Sequence, residues 1–380
     1  MIYLDHNATT PLDEAVKKAM ADAFGIFGNP SSGHGIGMAA KAVVEGARQQ
    51  VARLIACDPR EIVFTSGGTE SNNLAIVGTA YKFRTGHIIT SVIEHPSAMN
   101  PVKWLELRGF EATYLPVDSD GRVSPADVRK AIRRDTVLIT VMHSNNETGV
   151  LQPSREIGEI AREHGIAFHA DAAQSVGKMD VLVADLAVDM LTIVAHKFYG
   201  PKGVGALYIR GFGGSEGSAR SHIPNPILFG AGHESGMRPG TENIIGISGF
   251  GRACETAALH IRDRYEHTRR LRDRLYTLLR DDLDIKLNGH ELLRLPNTLN
   301  ISIGGIVADD VVQGLKDKLS LSSGSACHAG IRKPSPVLKA MGVSDEEALS
   351  AIRLSVGKDN TDEEIEAASV LITRYIKSLF

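Results

Sequence analysis

Short apolar runs alternate with helical patterns through the first two-thirds of the chain, and that rhythm restricts the fold more than any other feature. The runs Glu61–Thr65, His87–Ser91, Val137–Met142, Ile166–Ala170, Leu191–Ala195 and Val204–Ile209 are rich in Val and Ile and bounded by Gly, Asp or Pro. They read as strands buried in a sheet. Between them, Lys41–Ile55, Ser71–Tyr81, Ser97–Leu107 and Ser154–His164 have helical periodicity. This alternation predicts an α/β fold with a mainly parallel, doubly wound sheet. Near Gly246 the rhythm gives way to a long, charge-laced helix reaching about Leu279. The remainder reads as a smaller α+β unit ending in the helix Asp362–Leu379. The expected division is a large domain over 14–250 and a small domain made of 1–13 and 251–380. Gly211–Arg220 reads as a flexible loop, and the charge run His267–Arg274 as a solvated helix face.

A chain of 380 residues can bury a core without disulfide or metal staples. Its 42 basic and 45 acidic residues leave a net charge of −3, without the basic surplus of a protein that grips nucleic acid. No apolar stretch is long enough to cross a membrane as a helix. The opening Met1–Asp5 lacks the basic and apolar regions of a secretory leader. With three cysteines and no C-x-x-C pair, the expected compartment is a reducing cytoplasm. The 14 histidines show no tight ligand spacing, so no metal site is expected. Cys57 and Cys254 read as core residues. Cys327 lies among small and polar neighbours, Leu321–Gly330, and reads as an exposed thiol whose thiolate His328 would favour.

In open α/β sheets, ligands bind beyond the carboxyl ends of the strands, so the chemistry is sought there. After the first run come Ser66, Gly67, Gly68 and Thr69 at a helix start, a cradle for phosphate or an ordinary capping turn. His95 follows the second run, placed to stack on a flat ligand or move a proton, or else a loop histidine. Asn145 and Asn146 follow the third, as ligand donors or turn caps. Asp171 ends the fourth, where a buried carboxylate calls for a partner such as a pyridinium nitrogen. Lys197, after His196, faces a partly dry cleft where desolvation makes its amine nucleophilic. A phosphate cradle, a stacking histidine, a carboxylate for a ring nitrogen and a Schiff-base lysine together fit pyridoxal 5′-phosphate.

These residues, with Tyr3–Pro11, Gly28–Ser32, Thr65–Asn72, Asn145–Gly149, His169–Gln174, His196–Gly203, Arg238–Thr241 and Ser323–Cys327, closely resemble the cysteine desulfurases, NifS- and IscS-like enzymes of class V among fold-type I pyridoxal-phosphate proteins. The whole-chain pattern looks most like the DndA-type desulfurase of DNA phosphorothioation systems. The resemblance implies that Lys197 forms the internal aldimine, that His95 stacks on the ring and shuttles protons, and that Asp171 pairs with the ring nitrogen. Gln174 would meet the phenolic oxygen, and Gly68, Thr69 and His196 the phosphate. Thr241 would reach the cofactor of a second subunit, implying a homodimer. Asn146 and Arg353 would hold the carboxylate of L-cysteine, and Cys327 would take its sulfur as a persulfide and pass it to an acceptor protein. Two positions depart from the pattern: Val194 stands where a phosphate-binding Ser is frequent, and His328 follows the thiol as in selenocysteine lyases. A selenocysteine lyase is therefore the nearest alternative, and a non-catalytic sulfur carrier a more distant one.

Overall fold

A computed structural model describes residues 1–214, 222–323 and 333–380. Its centre is a seven-stranded sheet of β1 Ile62–Thr65, β2 His87–Ser91, β3 Glu111–Leu115, β4 Thr136–Thr140, β5 Ala167–Asp171, β6 Met190–Val194 and β7 Gly205–Ile209, in the spatial order β1-β7-β6-β5-β4-β2-β3. The six expected runs are all strands, shifted by a residue or two at their ends. β3 joins them at the sheet edge and has no counterpart among those runs, because its Glu111-Ala112-Thr113-Tyr114-Leu115 is only half buried and lacks a continuous apolar signature. The strands from β3 to β6 pair in parallel, whereas β7 runs antiparallel to both β6 and β1. The sheet is thus mixed. β6 returns to β7 through Ala195–Val204 without a crossover helix, and so short a connection can only reverse the chain.

β2, β5 and β6 are buried at every residue. Helices α1 Glu14–Ala23, α2 Gly35–Ile55, α3 Gly68–Ala80, α4 Pro96–Glu106 and α5 Ser154–Glu163 cover the sheet. One apolar cluster packs α2 against one sheet face through Val44, Val51, Ile55, Phe64 and Phe168. Another packs α3 and α4 against the opposite face through Leu74, Ile76, Ile88, Val102 and Leu207. α3 is buried along most of its length, from Ser71 and Asn72 to Ala80, as expected of a helix sandwiched between a sheet and another helix.

The 39-residue helix α6 Ile244–Asp282 belongs to two cores. Phe250, Cys254 and Ala257 pack with the main sheet. Leu271, Leu275 and Leu279 pack with Leu4, Ile301, Leu354 and Ile365 in a separate cluster. The second core lies under an antiparallel sheet, β8 Ile285–Leu287, β9 Thr298–Ile303, β10 Ser322–Ser323 and β11 Ala351–Ser355, ordered β10-β11-β9-β8. The last helix, α7 Asp362–Lys377, opens with a capping box formed by Thr361 and Glu364 and closes over that core. Ile2–Tyr3 pairs in parallel with Leu319–Ser320, so the N-terminal segment is held in the same unit.

The charge run on α6 is not a uniformly solvated face. Arg269, Arg270 and Arg274 pair with Glu266, Asp362 and Glu366 at the surface. Arg272 is buried and donates to the Leu295 carbonyl, because helical periodicity puts it on the same side as Thr268, Leu271 and Leu275. Cys254 is buried and Cys57 partly so. Burial raises both thiols above their ordinary range. No helix among the described residues is long and apolar enough to cross a membrane. The loop expected at 211–220 falls largely outside the described residues.

Candidate active site

The C-terminal ends of β1, β2, β4, β5 and β6 open onto one cavity of about 410 Å³, within the ordinary size range of a small-molecule site. Gly68, Thr69, His95, Asn146, Asp171, Gln174, His196, Lys197 and Arg353 all line it. Eight come from the strand ends and the loops after them. Arg353 comes from β11, and Asn7 and Ala8 reach the cavity from the N-terminal segment. Thr241 is exposed and is not among the residues lining this cavity. Cys327 and His328 lie outside the described residues.

The cradle is built by α3. Its N-cap is Gly67, at φ 141° and with no side-chain cap, a backbone conformation that suits glycine alone. A Cβ on Gly68 would come within 2.8 Å of Val194 Cγ2. The helix start therefore lies directly on the end of β6, its first N–H groups left for an anion. Val194 supplies packing at the place where a hydroxyl would have supplied a further donor.

Asp171 accepts from the Ala173 N–H at 2.9 Å and from Asn72 Nδ2 at 2.7 Å. Lys197 Nζ donates to the carbonyls of Asn7 and Ala8 at 2.7 and 2.9 Å. Burial, and then the charge of Arg353, lower its amine from 10.5 to about 8, against the opposing pull of Asp171 and Asp5. The amine is therefore a usable nucleophile near neutral pH. His196, bonded through Nδ1 to Thr9 Oγ1 at 3.1 Å, is pushed to about 4 by burial and by Lys197, Lys202 and Lys178. It meets a ligand as a neutral imidazole.

Asn145 and Asn146 divide their work. Asn145 is fully buried, and its Oδ1 accepts from the N–H groups of Glu147 and Thr148, so it caps the turn. Asn146 faces the cavity, and its carbonyl accepts from Arg353 Nη1 at 3.0 Å. Arg353 Nη2 donates to Asp5 Oδ1 at 2.8 Å, and its buried Nε has no partner among the described residues. A guanidinium held on one edge with a donor left over is suited to a carboxylate.

Sequence reasoning missed the residues that hold this set in place. Asn7 is 1 % exposed. Its carbonyl accepts from Lys197 and from Gln174 Nε2. Its side chain accepts from Lys178 and Asn297 and donates to Thr298. Lys178 Nζ also donates to Gln174 Oε1 at 2.9 Å. A lysine donor fixes that amide with its oxygen inward, so Nε2, bound once to Asn7, retains a second N–H. Asn72 and Ser97 stand behind Asp171 and His95. The signal for Asn7 and Asp5 was the polar run Asp5–Thr10 in an otherwise apolar N-terminus. Lys178 shows only as the residue four past Gln174, one turn on.

The aminotransferase class-V family matches residues 2–368. The chain belongs to this family. It is 43 % identical over 383 residues to the cysteine desulfurase IscS of Dictyoglomus turgidum, covering all of this chain and 95 % of that one. It superposes on a NifS-like protein with a TM-score of 0.90 at 36 % identity, covering 99 % of both chains. It superposes on DndA of Streptomyces lividans with a TM-score of 0.77 at 36 % identity, covering 92 % of this chain and 97 % of that one. Within the family the chain is a pyridoxal 5′-phosphate-dependent cysteine desulfurase. The cavity fits that cofactor: an uncapped helix start against which no Cβ can stand, a lysine whose amine is lowered to about 8, and a buried carboxylate.

Proposed function

We propose that this desulfurase moves sulfur from L-cysteine to the thiol of Cys327 and from there to an acceptor protein serving DNA phosphorothioation. The observation that carries the chemistry is the convergence of Lys197, Asp171 and Arg353 on one cavity. When bound, the cofactor supplies an electron sink for the substrate's α-carbon. Asp171 keeps its ring nitrogen protonated, and Gly68, Thr69 and His196 hold its phosphate. Gln174 gives its remaining N–H to the phenolic oxygen. Arg353 and Asn146 grip the substrate carboxylate, and Lys197, once free as an amine, removes the α-proton. His95 returns a proton to the substrate. The Cys327 thiolate attacks the substrate's sulfur: an S–S bond forms, the C–S bond breaks, and its electron pair stays on carbon and is protonated. Alanine leaves, and Cys327 holds a persulfide.

The enzyme acts as a cytoplasmic homodimer. Thr241, exposed and not among the residues lining its own cavity, contacts the phosphate in the second subunit. The two apolar cores support a large body and a small one joined through α6, with 1–13 and the C-terminal part in the small one; Cys254 and Ala257 pack with the main sheet and Leu271 with the small core, which favours a boundary within α6 somewhat after the expected 250. The likeness to DndA supports the pathway. The net charge of −3 favours delivery to a protein rather than to DNA directly.

Cys327→Ser tests the chemistry: it loses alanine formation from cysteine yet keeps the cofactor's colour, and full activity in that variant refutes the persulfide step. Loading the enzyme with radiosulfur-labelled cysteine and isolating the labelled acceptor tests the pathway. A label on an iron–sulfur scaffold or a tRNA-thiolating protein, and none on a DNA-modifying one, overturns it.

A further inference from the structure

The turn that carries Lys197 is strained two residues further on. Tyr199 sits at φ 70°, in the left-handed region that a bulky aromatic residue seldom adopts. Its neighbour Phe198 is fully buried in the main-sheet cluster, with its ring 6.1 Å from that of Phe250. Tyr199 has other company. Its hydroxyl accepts from the Lys358 N–H at 2.6 Å, and the Arg264 guanidinium and Lys358 ammonium lie 5.4 and 5.2 Å from its ring. Adjacent residues are thus anchored in different surroundings, and the positive φ turns the chain between them. Such a backbone persists only where its surroundings hold it.

One side chain holds both flanks of Lys197. Thr10 Oγ1 accepts from the Tyr199 N–H at 2.7 Å and donates to the His196 carbonyl at 3.0 Å. Both directions are fixed, because an amide N–H only donates and a carbonyl only accepts. Other contacts hold one flank each: the Thr10 N–H also donates to the His196 carbonyl, and the Asp13 N–H to the Tyr199 carbonyl. The Ala195 carbonyl accepts from Phe198 and Gly200 and passes over Tyr199. The hydroxyl alone joins His196 to Tyr199, and among the described residues it is the one acceptor of the Tyr199 N–H. Thr10 is itself restrained. Pro11 confines its backbone to extended forms, β-branching limits its rotamers, and it is 6 % exposed. We propose that Thr10 is a positioning residue for Lys197, its hydroxyl pinning the strained Tyr199 backbone to His196 so that the turn presents the amine to the cavity in one fixed direction. The inference rests on the reading of Lys197 as the residue that takes the cofactor's aldehyde.

The test is recapture of pyridoxal 5′-phosphate by protein stripped of it, followed by absorbance at pH 8, with the circular dichroism of the bound cofactor read at the end point. Thr10→Val keeps the side chain's shape and removes the hydroxyl. Recapture slows by about tenfold and the dichroic band weakens, as expected of a nucleophile no longer held in its attack geometry. Thr10→Ser restores most of both. Thr10→Ala serves should Thr10→Val not fold, and the wild type gives a reading of its own: its Tyr199 amide exchanges slowly with solvent deuterium, and fast exchange there overturns the proposal without any variant. Variants that lose thermal stability yet recapture the cofactor at the wild-type rate, or a Thr10→Ser as slow as Thr10→Val, overturn it too. Lys197→Ala tests the underlying reading separately. A cofactor band of wild-type form in that variant would sink the role of Lys197, whatever Thr10 does.

Discussion

Lys197 offers the most direct test of the cavity's electrostatics. Its amine sits at about 8 instead of 10.5. At pH 7 about one molecule in ten then carries the free amine, against about one in 3,000 for an unperturbed lysine, a gain of about 300-fold in nucleophile. Disfavouring the ammonium in this way costs about 3 kcal/mol at neutral pH, a cost relieved when the amine joins the cofactor's aldehyde. Stripping the cofactor and following its recapture by absorbance from pH 6 to 10 reads this quantity. The rate climbs tenfold per pH unit and levels off near pH 8. Burial is the first cause of the shift and Arg353 the next, so Arg353→Met moves the plateau upward without reaching 10.5. A wild-type rate still climbing at pH 10, or indifferent to pH throughout, refutes the account of Lys197 as a desolvated amine.

Glu94 is fully enclosed, its carboxyl raised by burial to about 8 while Ser91 and the Met142 N–H bond one oxygen. The folded state holds a proton there that the unfolded chain releases above about pH 4.5, so stability falls as pH rises from 4.5 to 8, by up to about 5 kcal/mol. Glu94→Gln removes that slope, and its thermal midpoint gains on the wild type progressively across the window; parallel curves would contradict the shift. Asp5→Asn deprives Arg353 of its orienting partner. KM for L-cysteine rises by about tenfold, matching about 1.4 kcal/mol, with kcat little changed, and a fall in kcat alone would exclude this role. In the Arg48–Glu234 pair the carboxylate is buried and the guanidinium mostly so, and Glu234 also accepts from the Phe64 N–H. Glu234→Gln leaves Arg48 without its main counter-charge and lowers unfolding free energy by about 3 kcal/mol, measured in urea, while a change within experimental error would show that the pair is dispensable.

What the sequence could and could not reveal follows from how far each feature depends on its neighbours in the chain. Strands and helices of the main sheet are legible because periodicity is local. The residues at the strand ends are legible because a parallel sheet delivers them to one edge. Direction is not encoded in that way. β7, Gly-Ala-Leu-Tyr-Ile, is as apolar and as fully buried as its neighbour β6, and only the short return after Lys197 and Tyr199 makes it antiparallel. The supporting residues are less visible still. Lys178 meets Asn7 across 171 positions and Asn72 meets Asp171 across 99, and each looks in sequence like an ordinary polar residue of a turn or helix. Their meaning is relational: an amide is neutral information until a carboxylate or a lysine fixes which end is oxygen. The chemistry-bearing groups of this enzyme can thus be read from residue type and place. The protonation states and orientations that make them work come from buried polar partners, which only the folded chain brings into contact.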